Sequence, residues 1–188
     1  MQVLSVNTAR VENFIATAGE RLESAIRKRA RSGPVGVGPL GLEGDEQADP
    51  SVHGGLSKAV YAYPQEHYSF WMTVRGQAKV EGALQPGDCG ENLTLAGLQE
   101  SQVWIGDVLR FPDCELVVSE PRYPCFKFNA HMGFNQAAKL MAQSGWCGFY
   151  LAVKREGTIA ASENFELIAG PREVGIVELF KAKMRRKG

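Results

Sequence analysis

The sequence predicts a mostly β fold with a few short peripheral helices, built from 188 residues. Short runs rich in β-branched and aromatic residues recur along the chain, and Gly, Pro, Asn or Asp bounds them, which is typical of many short strands joined by turns. Strands do not alternate with long helices, so a doubly wound parallel sheet is disfavoured. A chain of this length buries about 70 % of its unfolded surface without needing disulfides or a structural metal.

Seven segments carry the strand pattern, since each combines β-forming residues with turn residues at its ends. In chain order they are Gln2 to Asn7, Ala59 to Tyr63, Asn92 to Ala96, Val103 to Phe111, Glu115 to Ser119, Gly148 to Val153 and Phe165 to Ala169. Such a series indicates a sheet or a barrel.

Three segments repeat apolar residues at helical spacing instead. The first is Pro64 to Val74, and the second, Asn135 to Gln143, starts with a capping Asn and is followed by a glycine. The third, Glu173 to Arg186, repeats apolar residues at Ile176, Val177, Leu179 and Phe180. These helices are expected to lie at the periphery of a mostly β fold.

Composition and termini narrow the class of protein. The 21 basic and 21 acidic residues balance, so nothing favours nucleic acid as a partner. No run reaches the roughly 18 apolar residues of a membrane span, and the first residues lack the pattern of a secretory signal. A reducing cytoplasm is therefore expected. The four dispersed cysteines form no C-x-x-C pair, which disfavours structural zinc.

The basic and glycine-rich stretch from Ile26 to Pro39 is predicted to be a solvated loop rather than a binding patch. The same prediction holds for the basic tail, Lys181 to Lys187.

Cys125 stands out among the cysteines because it ends the run Pro121-Arg122-Tyr123-Pro124-Cys125. The two prolines stiffen the backbone, and the nearby cations Arg122 and Lys127 are expected to lower the pKa of the thiol. Thiolate is the form that attacks electrophiles and binds metals. The alternative is a small buried hydrophobe at a strand end. The other cysteines, Cys89, Cys114 and Cys147, lack this setting and are predicted to be structural.

A second candidate is the glycine-rich segment from Gly41 to Val60, which contains His53, Gly54, Gly55 and Lys58. Glycines let the backbone approach a ligand, and the flanking imidazole and ammonium suit a phosphate or a developing charge. The alternative is a tight turn that leads into the strand at Ala59.

A third candidate is the turn Gly90-Glu91-Asn92. Its two polar side chains either orient a polar ring or cap the turn. Signatures of nucleotide hydrolysis, dinucleotide binding, serine hydrolysis and zincin proteolysis are absent from the sequence.

Five motifs follow one another in the order and spacing of the MOSC domain, named for the carboxyl-terminal domain of molybdenum cofactor sulfurase. They are GLEGDEQAD, VHGGLSKAVYAYP, PGDCGENLTLAGL, IGDVLRF and EPRYPC. The chain resembles the stand-alone bacterial YiiM-like branch of this family from about Val3 to Leu167. The resemblance implies a closed or nearly closed mixed β-barrel at 1–172 and a helix at 173–188 that corresponds to part of a three-helix segment.

The resemblance also implies roles for individual residues. Cys125 is the critical residue, which either ligates the molybdenum of a pterin-bound cofactor or carries sulfur as a persulfide. Seven further residues would position the pterin phosphate or the substrate around it: Arg122, His53, Gly54, Gly55, Lys58, Glu91 and Asn92. The amino-terminal pyridoxal-phosphate domain of the full sulfurase is missing from this sequence, so no pyridoxal phosphate is expected.

The implied activity is that of a molybdenum-dependent oxidoreductase, which reduces N-hydroxylated bases or related small molecules by oxygen-atom transfer. A flavoprotein is the expected electron donor, and neither nucleic acid nor a membrane is an expected partner. Two alternatives stay open. One is a sulfur-carrier or cofactor-handling module with a persulfide on Cys125, and the other is a structural domain in which Cys125 is inert.

Overall fold

The computed structural model describes residues 1–15, 19, 21–48 and 54–185. Within these residues the strands are β1 Gln2–Thr8, β2 Glu12–Ile15, β3 Arg21–Ser24, β4 Arg29–Ala30, β5 Val35–Gly38, β6 Gly41–Leu42, β7 Val60–Pro64, β8 Leu93–Ala96, β9 Val108–Arg110, β10 Glu115–Pro121, β11 Phe149–Arg155, β12 Gly157–Ile159 and β13 Glu166–Ile168. The α-helices are α1 Tyr68–Gln77, α2 Phe126–Met132, α3 Ala137–Ser144 and α4 Ile176–Arg185. Short 3-10 helices cover Leu56–Lys58, Gln65–His67 and Glu100–Gln102.

Eight strands form one sheet in the order β13-β9-β10-β11-β7-β8-β1-β4. Strands β7 and β8 pair in parallel, and the other neighbours are antiparallel. Two smaller sheets, β12-β5-β6 and β2-β3, complete the β structure of the described residues. The predicted mostly β fold with short peripheral helices is confirmed, and its main sheet is mixed.

The main sheet is not closed by a continuous ladder, because β13 and β4 stand at its two ends. Backbone hydrogen bonds nevertheless bring β1 to the segment before β13. The N–H of Val3 donates to the carbonyl of Glu163 at 2.9 Å, and the N–H of Phe165 donates to that of Met1 at 3.1 Å. These bonds, rather than a further strand pair, nearly close the expected barrel.

The core centres on β7, which is buried along its whole length because both of its faces are covered. Helix α1 packs there, since the indole N–H of Trp71 donates to the hydroxyl of Tyr63 at 2.6 Å. The ring of Trp71 also meets that of Phe128 in α2, with 5.4 Å between centroids. Helix α2 begins directly after Cys125, so this aromatic contact ties the cysteine to the core.

Each of the seven predicted strands overlaps an observed one, although the segment from Val103 to Phe111 contains only β9. The strand is shorter than predicted because a turn precedes it. In this turn Gly106 has φ +88°, and the N–H of Asp107 donates to the carbonyl of Trp104. The prediction of a loop from Ile26 to Pro39 is wrong, because β4 and β5 lie there. Alternate glycines in β5 weaken its sequence signal.

The three predicted helices correspond to α1, α3 and α4, whereas α2 was not predicted. Helix α1 starts later than expected, at Tyr68, because a 3-10 turn precedes it. The predicted solvated tail belongs in part to α4, and 186–188 lie outside the described residues. The division into a barrel at 1–172 and a helix at 173–188 stays a prediction. No helix in the described part of the chain has the length and apolar character needed to cross a membrane.

Candidate functional site

One pocket brings together several of the residues that the sequence singled out. Its volume is about 90 Å³, room for a group of a few heavy atoms. Four of the predicted site residues line it: Lys58, Asn92, Arg122 and Cys125. Among the other lining residues, Lys28, Asp45, Tyr61 and Tyr150 were not predicted as part of the site, and Lys127 was predicted only as a cation near Cys125.

Cys125 is half-buried at this pocket, whereas Cys89, Cys114 and Cys147 are fully buried. Its backbone is extended, with φ −127° and ψ 170°, at the junction between β10 and α2. Burial raises the pKa of Cys89 and Cys147 well above the ordinary value, and it raises the pKa of Cys114 to about 12. These three thiols are therefore inert at neutral pH, in agreement with their predicted structural role.

Arg122 supplies a buried positive charge next to Cys125. Only 5 % of its surface is exposed, and its guanidinium carbon lies 5.3 Å from the ring centroid of Tyr61 and 4.7 Å from that of Phe128. Its Nη1 is 3.2 Å from the sulfur of Met141. Among the described residues, no carboxylate forms an ion pair with it.

The guanidinium of Arg122 stays charged despite this burial. Burial on its own lowers the pKa of Arg122, but the neighbouring hydroxyls of Tyr61 and Tyr150 raise it above the ordinary value. A permanently charged cation at a pocket, with no carboxylate partner in the described part of the chain, is suited to an anionic ligand or thiolate.

A buried ion pair forms another wall of the pocket. The ammonium of Lys28 donates to both carboxylate oxygens of Asp45, at 2.6 and 2.8 Å, and both side chains are less than a tenth exposed. Asp45 also accepts from the amide of Asn92 at 2.8 Å and from the N–H of Ala9 at 2.8 Å. Burial lowers the pKa of Lys28, and its pairing with Asp45 opposes that effect. The prediction that the basic residues of this segment are solvated is therefore wrong for Lys28, whose side chain is buried.

Asp45→Asn is expected to lower the free energy of unfolding by about 3 kcal/mol, because the buried ammonium of Lys28 then lacks its counter-charge. Urea denaturation at neutral pH measures the change. Glu115→Gln is the matched control, since its carboxylate pairs with Arg110, whose side chain is 50 % exposed. The control is expected to change by less than about 0.5 kcal/mol. Equal losses in both variants would contradict this interpretation of the buried pair.

The glycine-rich segment contributes Lys58 to the pocket. Its ammonium lies 3.9 Å from a carboxylate oxygen of Glu120 and 6.0 Å from the ring centroid of Tyr150. Gly55 immediately precedes the 3-10 helix Leu56–Lys58. Its φ of +87° favours glycine at this position. Gly54 and Gly55 do not line the pocket themselves. His53 lies outside the described residues, so its predicted role stays a prediction.

Glu91 lies behind the pocket rather than in its lining, and its carboxylate is fully buried. It accepts hydrogen bonds from the N–H groups of Gly87 and Cys89 at 2.8 and 3.0 Å, from the hydroxyl of Thr94 at 2.7 Å, and from the hydroxyl of Tyr68. These bonds match the turn-capping alternative for Glu91. Its predicted contact with a cofactor stays a prediction.

Asn92 connects the same turn to the pocket. Its side-chain oxygen accepts from the N–H of Tyr61 at 3.0 Å, and its amide donates to Asp45 and to the carbonyl of Asn7. Asn92 therefore fixes the position of Asp45, and through it that of Lys28.

The unpredicted lining residues had weak signals in the sequence. Asp45 belongs to the GLEGDEQAD motif, but nothing local distinguishes it from the other acids there. Lys28 sits in a basic run, where most side chains are solvated. Tyr61 and Tyr150 lie on predicted strands, and strand periodicity does not say which of their faces meets a pocket.

Comparison with known proteins identifies the family. Residues 49–166 match the family model of the MOSC domain. The chain belongs to the MOSC domain family. This membership confirms the resemblance that the five motifs carried.

Among individual proteins, the MOSC chain is 39 % identical over 155 residues to Protein YiiM of Escherichia coli. These aligned residues make up 82 % of this chain and 68 % of that protein. A protein of Gibberella moniliformis named Reductase is 34 % identical over 171 residues, or 90 % of this chain and 29 % of that protein. The crystal structure of YiiM from Geobacillus stearothermophilus superposes with a TM-score of 0.78 at 28 % identity, covering 99 % of this chain and 85 % of that one. The chain is a YiiM-like MOSC protein.

Proposed function

We propose that this MOSC protein binds the molybdenum cofactor through Cys125 and reduces N-hydroxylated bases in the cytoplasm. One observation carries the proposal: of four cysteines, Cys125 alone is less than fully buried, and it lines a pocket together with Arg122, a buried cation that forms no ion pair with a carboxylate of the described residues. The name of the Gibberella relative, Reductase, supports an oxidoreductase in this family. A flavoprotein is the proposed source of electrons.

The donor set fits a metal that arrives with an organic ligand of its own. No group of three His, Cys, Asp or Glu residues that could hold a metal ion occurs in the described parts of the chain. A lone thiolate is a soft ligand of the kind that molybdenum accepts, and further ligands would come from the pterin.

The lining charges fit the phosphate of such a cofactor. Four basic and two acidic residues line the described part of the pocket, and one of the acids, Asp45, is already paired. The residues proposed to hold the phosphate or an anionic group are Arg122, Lys58 and Lys127. When bound, the molybdenum would supply the oxygen-atom transfer that the side chains cannot perform themselves.

The protein's own part in the reaction is to orient the substrate and to handle protons. Reduction of a hydroxylamine to an amine consumes two electrons and two protons and releases water. The ammonium of Lys28 carries a proton at the pocket wall, where Asp45 holds it in place. The rings of Tyr61 and Tyr150 give the pocket flat walls against which an aromatic base can lie.

Elemental analysis of protein expressed in a host that makes the cofactor tests the proposal. Wild-type protein is expected to contain molybdenum and to reduce an N-hydroxylated amidine with a chemical reductant. Cys125→Ser is expected to lose both, whereas Cys114→Ala, which alters a cysteine outside the pocket, is expected to keep both. Wild-type molybdenum occupancy in Cys125→Ser would rule out the ligand role.

The half-buried thiol also supports a second candidate, a sulfur carrier, because a persulfide needs a cysteine that a donor can reach. Intact mass measurement would then show one added sulfur atom on Cys125, which dithiothreitol removes. Cofactor-loaded protein that reduces hydroxylamines and carries no persulfide would reject this candidate.

A further inference from the structure

Helix α4 lies beyond residues 49–166, which match the family model, yet it contacts the loop that carries Cys125. Its Phe180 is fully buried and stacks on Tyr123, with 5.7 Å between ring centroids and 7° between ring planes. The ammonium of Lys183 lies 4.5 Å from the centroid of the same ring. One helical turn thus holds Tyr123 by two contacts.

Tyr123 lies two residues before Cys125 in the chain, and the backbone between them is stiff. Pro124 separates the two residues, and Pro121 ends β10 just before them. Each proline fixes its own φ and restricts the residue before it, so few torsions can absorb a movement of the Tyr123 ring. A shift of that ring is therefore passed on to the thiol.

The two residues before Pro124 are held by different parts of the molecule. Arg122 packs inward between the rings of Tyr61 and Phe128. Tyr123 contacts α4 instead. The loop is thus fixed from both sides, by the core and by the helix.

Packing rather than hydrogen bonding holds Tyr123. Its hydroxyl oxygen is buried and has no hydrogen-bond partner among the described residues. Burial raises the pKa of Tyr123 to about 12. The position of the ring therefore depends on its stack with Phe180.

Helix α4 is in turn anchored to the β body by backbone bonds. The N–H of Ile105 donates to the carbonyl of Val174 at 2.9 Å, and the N–H of Ile176 donates to that of Val103 at 3.0 Å. These bonds fix the start of the helix, so it can act as a support for the loop.

We propose that helix α4 positions Cys125: Phe180 and Lys183 hold Tyr123, and Tyr123 sets the orientation in which the thiol meets the pocket. Tyr123 and Phe180 are positioning residues and touch no reacting atom. The inference rests on the proposed function only in treating Cys125 as the reactive group. It predicts that a change at α4 alters this thiol without altering the other three.

Alkylation of the metal-free protein by iodoacetamide, followed residue by residue with mass spectrometry, tests the proposal. Phe180→Ala is expected to speed alkylation of Cys125 about tenfold, because the loop then opens more often. Cys89, Cys114 and Cys147 are expected to stay unmodified, which shows that the protein is folded. Because no cofactor is present, the result does not depend on whether the protein binds molybdenum.

Phe165→Ala is the matched control, since it also removes one ring of a buried aromatic pair, with 5.1 Å between its centroid and that of Phe111. It is expected to leave Cys125 at the wild-type rate. An unchanged rate in Phe180→Ala, or an equal increase in Phe165→Ala, would overturn the proposal. Tyr123→Phe keeps the ring and is expected to match the wild type.

Phe180→Leu takes the place of Phe180→Ala if the latter exposes all four thiols, because it keeps apolar volume and loses the flat ring. A double-mutant cycle with Tyr123→Ala then separates the positioning of Cys125 through Tyr123 from a general destabilisation of the protein. The two substitutions are expected to act on the same contact, so the double variant should label no faster than the faster single variant. Independent, multiplying effects on the labelling rate would contradict the coupling.

Discussion

Arg122→Met is expected to abolish molybdenum binding and to leave the free energy of unfolding unchanged, or about 1 kcal/mol higher. The guanidinium is buried beside the rings of Tyr61 and Phe128, without a carboxylate partner among the described residues. A methionine of similar length can pack against these rings and against Met141 without the penalty of a buried charge. The charge would therefore serve the pocket rather than the fold.

Denaturation curves and molybdenum content of the same preparations measure the two effects. Arg110→Met is the control, because this arginine forms an exposed ion pair with Glu115 and is expected to change neither quantity appreciably. At least a tenfold loss of molybdenum is expected for Arg122→Met, which corresponds to about 1.4 kcal/mol or more of binding free energy. If Arg122→Met lost several kcal/mol of stability and kept normal molybdenum content, Arg122 would instead have a structural role.

Glu91→Ala is expected to lower the free energy of unfolding by about 4 kcal/mol, the largest stability effect that we expect. The carboxylate is fully buried and accepts four hydrogen bonds, so its removal leaves buried donors without partners at Gly87, Cys89, Thr94 and Tyr68. Each such donor costs about 1–3 kcal/mol, and relaxation of the turn recovers part of the sum. Urea denaturation at neutral pH measures the loss.

Glu91→Gln separates charge from hydrogen bonding. The amide oxygen can keep most of these bonds, so a loss of only about 1–2 kcal/mol is expected. Burial raises the pKa of Glu91 above its ordinary value of 4.5, so the folded protein holds this proton after the unfolded chain has released it. Wild-type stability from this group therefore falls as the pH rises above 4.5, and the glutamine variant lacks that fall. The cost of Glu91→Gln should be larger near pH 4.5 than at neutral pH, and a constant cost would contradict a raised pKa.

The sequence alone singled out two residues that line the pocket, Cys125 and Arg122, but not most of the other lining residues. Cys125 and Arg122 could be singled out because the features that mark them, two prolines and a cation next to a thiol, all lie within five consecutive residues. Lys28 could not, because its burial depends on Asp45, which lies 17 residues away in another segment. The two alternatives for Glu91 could not be separated for a similar reason: a polar residue after a glycine fits a ligand or a turn equally well, and one of the hydrogen-bond donors around it lies 23 residues away.

The same distinction between local and distant causes holds for the fold. Strand β7 was predictable, since Ala59 to Tyr63 combines β-forming residues with a following proline. The short strand β5 was not, because alternate glycines remove its local signal and its pairing with β12 and β6 provides the stability. Closure of the sheet also depends on distant pairing, which no local pattern reveals.

The bonds between the first residues of β1 and the segment before β13 have a consequence for synthesis of the protein. Met1 and Val3 are synthesised well before Glu163 and Phe165, to which they bond and which are among the last residues of the sheet to emerge. Until then this edge of β1 has unpaired backbone groups, which is the state of a strand most prone to pair with another chain. Completion of the sheet is therefore expected to come late, after the segment that contains Glu163 and Phe165 has been made.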